Sequence, residues 1–311
     1  MSEVLEDFFG DSVRQRYGLE PYTDPDQPTV FYGCYPPKRH RSGSVRKDVG
    51  RVERHRSLAV IVWCGGDSQA ATRSSSKGAY RRMLSLPNVA HIAISSSIAG
   101  DLDKLGLPYK HVPLCSIDTS PYKPMSLGDK VYVYTSFAAP RVYGWDLVRQ
   151  VRKRLPRVEF AIHASNPPHY ITRDKLMKVY AKCFMGIRLT PHDGLSNTVV
   201  ELGLMGRRCV WNGWTPNAIP WQTVDDVVAA IKKERKRIGS IYPKVAAHMQ
   251  EYINVGKDWL QPVFYGCDVK RLAELREITK PKITKAKCLR SRKKRALKLA
   301  AKLKKLKRGR V

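Results

Sequence analysis

Residues 58–63 read L-A-V-I-V-W, six apolar side chains without a polar interruption. A strand with one wet face alternates apolar and polar residues, so an unbroken run of this length belongs to a strand covered on both faces. Covering both faces requires layers on either side of a sheet, which restricts the chain to α/β architectures. Strand-like segments at 29–34, 89–94 and 109–114 accompany this run, with a helical segment at 96–105 stopped by Gly106. The pattern pauses at 127–129 (L-G-D) and begins again. Strands are predicted at 130–134, 157–162, 183–189 and 208–211, and helices at 145–155, 172–180, 198–205 and 224–237. Alternation at that spacing builds βαβ units around a mainly parallel sheet. Two such series predict two Rossmann-like domains facing across a cleft. The expected division is an irregular leader at 1–28, a first domain at 29–127, a second at 128–239, closing helices at 240–279 and a basic tail at 280–311.

Charge bears on partners. The 311 residues hold 57 Lys+Arg against 27 Asp+Glu, a formal net charge of +30. The tail supplies sixteen of those cations and no acid, so the body keeps +14 (41 minus 27). Such a chain attracts polyanions: nucleic acid, an anionic membrane surface or an acidic polymer. The seven cysteines are scattered, form no C-x-x-C pair and do not cluster with the histidines, which argues against a zinc site or disulfide framework and for a reducing, cytoplasmic compartment. Residues 1–10 lack the basic flank and apolar core of a secretory signal, and no apolar run reaches the length of a membrane span.

Ligands of doubly wound sheets bind at the carboxyl ends of strands, and two loops fall there. One is C-G-G-D-S at 64–68, directly after the 58–63 run. The other lies within G-I-R-L-T-P-H-D-G-L-S-N-T-V-V-E-L-G-L-M-G at 186–206, read as strand, polar loop and helix. A helix opening near Ser196–Thr198 behind a loop with His192 and Gly194 offers backbone N–H groups and a positive dipole end to a diphosphate. Arg188 at the strand end adds a cation for the same phosphates. Glu201 stands about one turn into the helix, placed for a ribose diol, and Asp193 lies in the loop where a sugar would sit. Each acid also has a plainer explanation: Thr198-Val-Val-Glu201 fits a capping box, and Asp193-Gly194 an ordinary turn. No acidic D-x-D pair ends a strand, so neither metal nor other cofactor is expected beyond a nucleotide-sugar co-substrate.

The 186–206 segment resembles the donor half of retaining GT-B glycosyltransferases of the family-4 type. Those carry two acids separated by seven intervening residues before a small-residue helix ending in Gly, as Asp193-x7-Glu201 and Met205-Gly206 do here; the first acid is usually Glu. The resemblance implies that Asp193 approaches the sugar hydroxyls and Glu201 holds the ribose, while backbone N–H groups of Leu195, Ser196 and Asn197 bind pyrophosphate. V-W-C-G-G-D-S at 62–68, I-A-I-S-S-S-I-A-G-D-L-D-K-L-G-L at 92–107 and V-P-L at 112–114 are similar to the end of the same family's N-terminal domain, which would be shortened here. Gly65, Gly66, Asp67 and Ser68 then face the acceptor, with Asp67 as general base in an inverting enzyme or acceptor-positioning group in a retaining one. Asp67 also fits a turn that caps the next helix. Ser136 and Arg141, after the first strand of the second domain, stand where related enzymes often contact phosphate. His163 and Asn166 are candidates for the base pocket, and Trp211, Trp214 and Trp221 with Pro216 and Pro220 for a cover over a nucleobase.

Basic elements supply the acceptor side. The loop at 38–56 holds eight Lys/Arg, among them Lys38, Arg39, Arg41, Arg46 and Lys47, and Lys77, Arg81 and Arg82 follow the C-G-G-D loop. Such a track grips a phosphodiester backbone without reading sequence. In the tail, Leu289, Leu297, Ala300, Leu303 and Leu306 form a thin stripe among cations, a basic amphipathic helix with phosphate or membrane affinity. The leading expectation is transfer of a hexose, UDP-glucose as donor, to a hydroxyl on DNA such as a hydroxymethylated pyrimidine, as in bacteriophage DNA modification. A membrane-surface glycosyltransferase acting on lipid-linked or envelope acceptors is the second reading, and a non-catalytic nucleic-acid-binding GT-B module the third. Oligomeric state is not legible.

Overall fold

A computed structural model describes residues 2–5, 16–35, 38–39, 45–46, 48–164, 170–256 and 259. The first sheet uses Ser2–Leu5 (β1), Glu20–Pro21 (β2) and Thr29–Tyr32 (β3). A short antiparallel pair, Lys38–Arg39 (β4) with Val45–Arg46 (β5), and a helix, Asp48–Val52 (α1), come next. The sheet then resumes with Ala59–Trp63 (β6), Gly66–Thr72 (α2), Ser74–Leu84 (α3), Val89–Ala93 (β7), Ser96–Leu105 (α4) and Lys110–His111 (β8). Its strand order is β2-β1-β3-β6-β7-β8, every pairing parallel. All five β6 residues are buried, as the 58–63 run demands. The α4 boundaries follow from its caps. Ser95 accepts the Ile98 N–H at the start, and Gly106, at φ 67, ends the helix in the left-handed conformation.

The second sheet carries Lys130–Thr135 (β9), Trp145–Arg154 (α5), Phe160–Ala164 (β10), Arg173–Ala181 (α6), Cys183–Ile187 (β11), Asn197–Leu204 (α7), Arg208–Val210 (β12), Ala218–Ile219 (β13), Val224–Arg235 (α8) and Pro243–Ile253 (α9). Its order is β10-β9-β11-β12-β13, again parallel throughout. Val131 and Val133 of β9 pack with Val148, Val151, Val227 and Ile231 of α5 and α8, whereas Tyr132 packs with α6, α7 and α9 residues on the opposite face. Alternation along one strand thus assigns its valines to one layer and its tyrosines to the other. The fully buried Arg207 ties this lobe to its linker: its guanidinium donates to the carbonyls of Met125, Ser126, Ala181, Cys183 and Met205. Those groups include the carbonyl ends of α6 and α7, where the helix dipoles favour a cation. Burial nevertheless pulls the Arg207 pKa down, to about 10.

Two features depart from the sequence expectation. The leader expected to be irregular contains, among its described residues, β1 and β2, which extend the first sheet and give it six strands. The stretch 66–84 forms two helices although its Ser- and Gly-rich composition lacks a sustained apolar period; burial of Ala71, Tyr80 and Met83 holds them instead. Residues 1–267 form one compact unit containing both sheets. A second unit, 268–311, lies outside the described residues, and with it the helix expected at 268–278 and the basic tail. No helix among the described residues is long and apolar enough to cross a membrane.

Candidate functional site between the two sheets

A cavity of about 560 Å³ opens between the lobes at the carboxyl ends of both sheets. The first lobe contributes Tyr32, Cys64 and Ile94, and the linker Leu114 and Ser116. The second contributes Arg188, the 193–198 segment, Glu201 and a set of tyrosines: Tyr132, Tyr134, Tyr143, Tyr170 and Tyr180. The size suits a nucleotide-sized ligand.

The loop after β11 brings Arg188 and Asp193 together in an ion pair. Arg188 Nε lies 2.5 Å from Asp193 Oδ2, and its Nη2 lies 3.1 Å from Oδ1. Both side chains are largely withdrawn from solvent, at 11% and 16% exposure. The guanidinium sits 5.2 Å from the Tyr134 ring centre and 5.4 Å from that of Tyr143. Burial works against the charge on Arg188, but Asp193 more than offsets it and raises the pKa above its ordinary value. The result is a permanent cation flanked by two aromatic faces at the cavity wall.

Glu201 is 3% exposed. Tyr122 of the linker donates to its Oε1 at 3.0 Å, and Tyr180 at the end of α6 donates to its Oε2 at 2.6 Å. The capping-box alternative for Glu201 is not realised: α7 begins at Asn197, its N-cap is Ser196, and no side-chain cap bond forms. Burial pushes the Tyr180 hydroxyl well above its ordinary range, with Tyr132 and Glu201 adding in the same sense, so it stays a donor. Leu195, Ser196, Asn197 and Thr198 line the cavity at the start of α7, and Asn197 Oδ1 lies 3.2 Å from Ser116 Oγ.

His192 does something other than line the cavity. Its Nε2 lies 2.7 Å from Oδ2 of Asp101 in α4, and the same oxygen lies 2.9 Å from Ser68 Oγ. Ser95 donates to the Asp193 carbonyl at 2.8 Å, and Ser96 to that of Asn212 at 3.0 Å. Gly194 packs against the Cys64 carbonyl so tightly that a Cβ there would sit 2.2 Å from the oxygen. Gly65, at φ 138, meets Gly194 from the other side. The C-G-G-D and H-D-G-L loops therefore seat on one another through their glycines: the contact at Gly194 admits no Cβ, and Gly65 supplies the positive φ of its turn.

Asp67 requires a correction. It is fully buried, and its carboxylate accepts the backbone N–H groups of Cys34, Cys64, Gly65 and Ser68. Burial pushes its carboxyl up while those four donors pull the other way. A carboxylate so engaged and shielded has no access to an acceptor hydroxyl; it builds the turn between β6 and α2. Gly66 begins α2 against the Tyr35 hydroxyl, and the buried Ser68 turns inward to the Gly65 carbonyl and Asp101. Ser68 is thereby withdrawn from solvent, while Gly66 is exposed off the cavity lining. Ser136 follows β9 and is buried, off the cavity lining, while Arg141 is exposed. His163 lines the cavity, its ring centre 5.3 Å from that of Tyr132. Trp211 and Trp221 pack in the cores, and Trp214 meets His111 of the first lobe edge-on at 4.6 Å; none covers the cavity.

Among the expected basic contacts, Lys38 and Arg39 fall in β4, Arg46 in β5 and Lys77 in α3. Arg81 and Arg82 are exposed in the last turn of α3, off the cavity lining, and Arg82 pairs with Glu53 at 3.1 Å. Arg41, Lys47 and Asn166 lie outside the described residues. Sequence reading passed over the tyrosines and Asp101. The signal for the former was present in K-V-Y-V-Y-T at 130–135, whose alternation puts tyrosine on one face of β9. For Asp101 the local Lys104 pair gives no sign of its role at the junction, since Ser68 and His192 stand 33 and 91 residues away. Among the described residues, no group of three or more His, Cys, Asp or Glu could hold a metal ion.

No family model and no curated protein matches the chain. Solved structures do. A complex of a point mutant of TarM from S. aureus with fondaparinux, α-GlcNAc-glycerol and UDP aligns with a TM-score of 0.50 at 10% identity, covering 83% of this chain and 58% of that one. Sucrose-phosphate synthase from Thermosynechococcus elongatus aligns at 0.53 with 9% identity, covering 85% and 76%. The chain thus spans little more than half the length of TarM. At these identities the likeness speaks for architecture, and with two parallel sheets meeting over one cavity it establishes that this chain has the GT-B fold.

Proposed function

We propose that the chain is a glycosyltransferase that moves a hexose from a nucleoside-diphosphate sugar, UDP-glucose being the expected donor, to a hydroxyl on modified DNA. The observation that carries the reading is the interlobe cavity holding the Arg188–Asp193 pair, the start of α7 and Glu201. In this reading Arg188 and the N–H groups at 195–197 take the diphosphate, so the leaving group is neutralised by a cation and a helix dipole without a metal. Asp193 exchanges Arg188 for the sugar hydroxyls as the phosphates arrive. Glu201, held by Tyr122 and Tyr180, accepts from the ribose, and the tyrosine walls flank the base. UDP occupies the solved TarM complex, and the +30 charge fits a polyanionic acceptor. The test is donor hydrolysis and transfer across a nucleotide-sugar panel, with and without hydroxymethylated DNA. Turnover of a UDP-sugar that rises with modified DNA is expected, and Asp193→Ala and Glu201→Ala each lower it at least about 100-fold. Absence of nucleotide-sugar binding, with both variants silent, would leave a non-catalytic module; transfer to lipid extracts alone would move the acceptor to a membrane.

A further inference from the structure

A second concavity, about 670 Å³, lies on the outer face of the second lobe, away from the cleft. Arg149, Arg152 and Arg157 line it, together with Glu159. Helix α8 packs beside α5, and Arg235 donates to the Arg157 carbonyl at 3.4 Å, which brings the cations of the two helices onto one face. The acids of this face are already committed. Asp146 pairs with Arg149, Asp225 with Arg154, and Glu159 with Lys130, while the buried Glu234 is shared by Arg208 and Arg237. Asp226 closes the capping box of α8. Among the described residues this leaves Arg152, Lys153, Arg157, Lys232, Lys233 and Lys236 without an ion pair.

Helix dipoles account for part of this, since cations are favourable in the last turns of α5 and α8. They do not account for Arg157, which stands beyond the α5 terminus, whereas Arg149 in mid-helix is held by Asp146. A concentration of like charge costs self-repulsion unless an anion answers it. Three guanidiniums around one groove suit phosphate oxygens, which they bind in bidentate geometry. None of the exposed large apolar side chains (Met125, Phe137, Val142, Trp214, Ile238 and Ile241 among them) lines the groove, so it offers a bilayer no wedge. Its place is equally telling. Arg157 and Glu159 precede β10, whereas His163 and Ala164 at the other end of that strand line the cleft. Five residues of strand separate the two sites by roughly 16 Å.

We infer that this groove binds the phosphodiester backbone of a nucleic acid, at a site separate from the cleft. A polymer held there leaves the cleft open and keeps the lobe at high effective concentration along it. The inference stands on the groove alone and does not depend on the sugar-transfer reading. It is tested on the full chain by fluorescence anisotropy with single-stranded and duplex DNA oligonucleotides over a salt series. The triple variant Arg149→Gln/Arg152→Gln/Arg157→Gln is compared with Lys175→Gln/Lys178→Gln/Lys244→Gln, which removes equal charge from the opposite side of the sheet. Thermal melts verify folding, and a single Arg152→Glu substitution at an exposed position replaces the triple if that variant does not fold. Loss of about three phosphate contacts is expected to lower DNA affinity tenfold or more at moderate salt and to reduce the log–log salt slope by about 2 on single strands and about 3 on duplex, with the lysine control near wild type. Equal losses in both triples, an unchanged groove variant, or binding to phosphatidylserine vesicles in place of DNA would each overturn it.

Discussion

His91 sits in the middle of β7, where the indole N–H of Trp63 donates to its Nδ1 at 3.2 Å. Accepting that bond requires an unprotonated Nδ1, and burial lowers the His91 pKa to about 4. The folded-state value is therefore below the unfolded one, so the unfolded chain binds the extra proton between about pH 6.5 and 4. The stability associated with neutral His91 is present above that window and is lost as pH falls through it. Acidification from pH 7 to 5 is expected to cost about 2 kcal/mol through this residue, and His55, depressed in the same sense by burial, adds to it. Urea unfolding at the two pH values measures the loss, and His91→Phe is expected to flatten the dependence. The same scale explains Asp67: a Gly-Asp turn and a catalytic loop look alike in sequence, and only the four N–H groups converging on the carboxylate separate them.

Among the elements, the loop joining β11 to α7 carries a tight steric constraint where it meets the first lobe. Its Gly194 has no room for a methyl group because the obstructing atom is backbone, the Cys64 carbonyl, which cannot rotate away as a side chain would. Gly194→Ala is expected to lift the 190–195 loop off the first lobe and to weaken nucleotide binding at least about tenfold, with stability lowered by about 1–3 kcal/mol. Calorimetric titration with UDP together with a thermal melt would check both; an unaltered UDP isotherm would mean that the glycine contact does not shape the cavity. Helix α4 and the strands of the 58–63 and 183–189 segments were legible because caps and unbroken apolar runs are local signals. Helices α2 and α3, and the leader strands, were not. Their order comes from partners distant in sequence, as when β1 inserts between β2 and β3.

At the scale of the whole molecule, Asp101 joins the lobes. It accepts from His192 across the junction, stays next to Ser68 in its own lobe and pairs with Lys104. Ser95 to the Asp193 carbonyl and His111 against Trp214 reinforce the same contact. Removing the carboxylate leaves His192 without its acceptor in a partly dry junction, a loss of about 1–3 kcal/mol that falls on the lobe contact rather than on either core. Asp101→Ala is therefore expected to increase the radius of gyration in small-angle scattering while far-UV circular dichroism stays unchanged. An unchanged scattering profile would refute the role of Asp101 in holding the lobes together.

The sequence by itself determined the layers: alternating buried strands and helices, two series of them, a polar Gly-containing loop after the third strand of the second series, and a net charge of +30. These are properties of short windows and of composition, where periodicity and capping act within a few residues. The tertiary structure alone decided which polar groups line the cavity and which are consumed in holding the fold. Asp67 and Asp193 both follow strands in Gly-containing loops, yet one is consumed by four backbone donors and the other faces Arg188 at a cavity wall. Tyr122 and Tyr180 reach Glu201 from 79 and 21 residues away, and His192 reaches Asp101 from 91. Burial and hydrogen-bond satisfaction are properties of what surrounds a group in space, and no spacing along the chain encodes them.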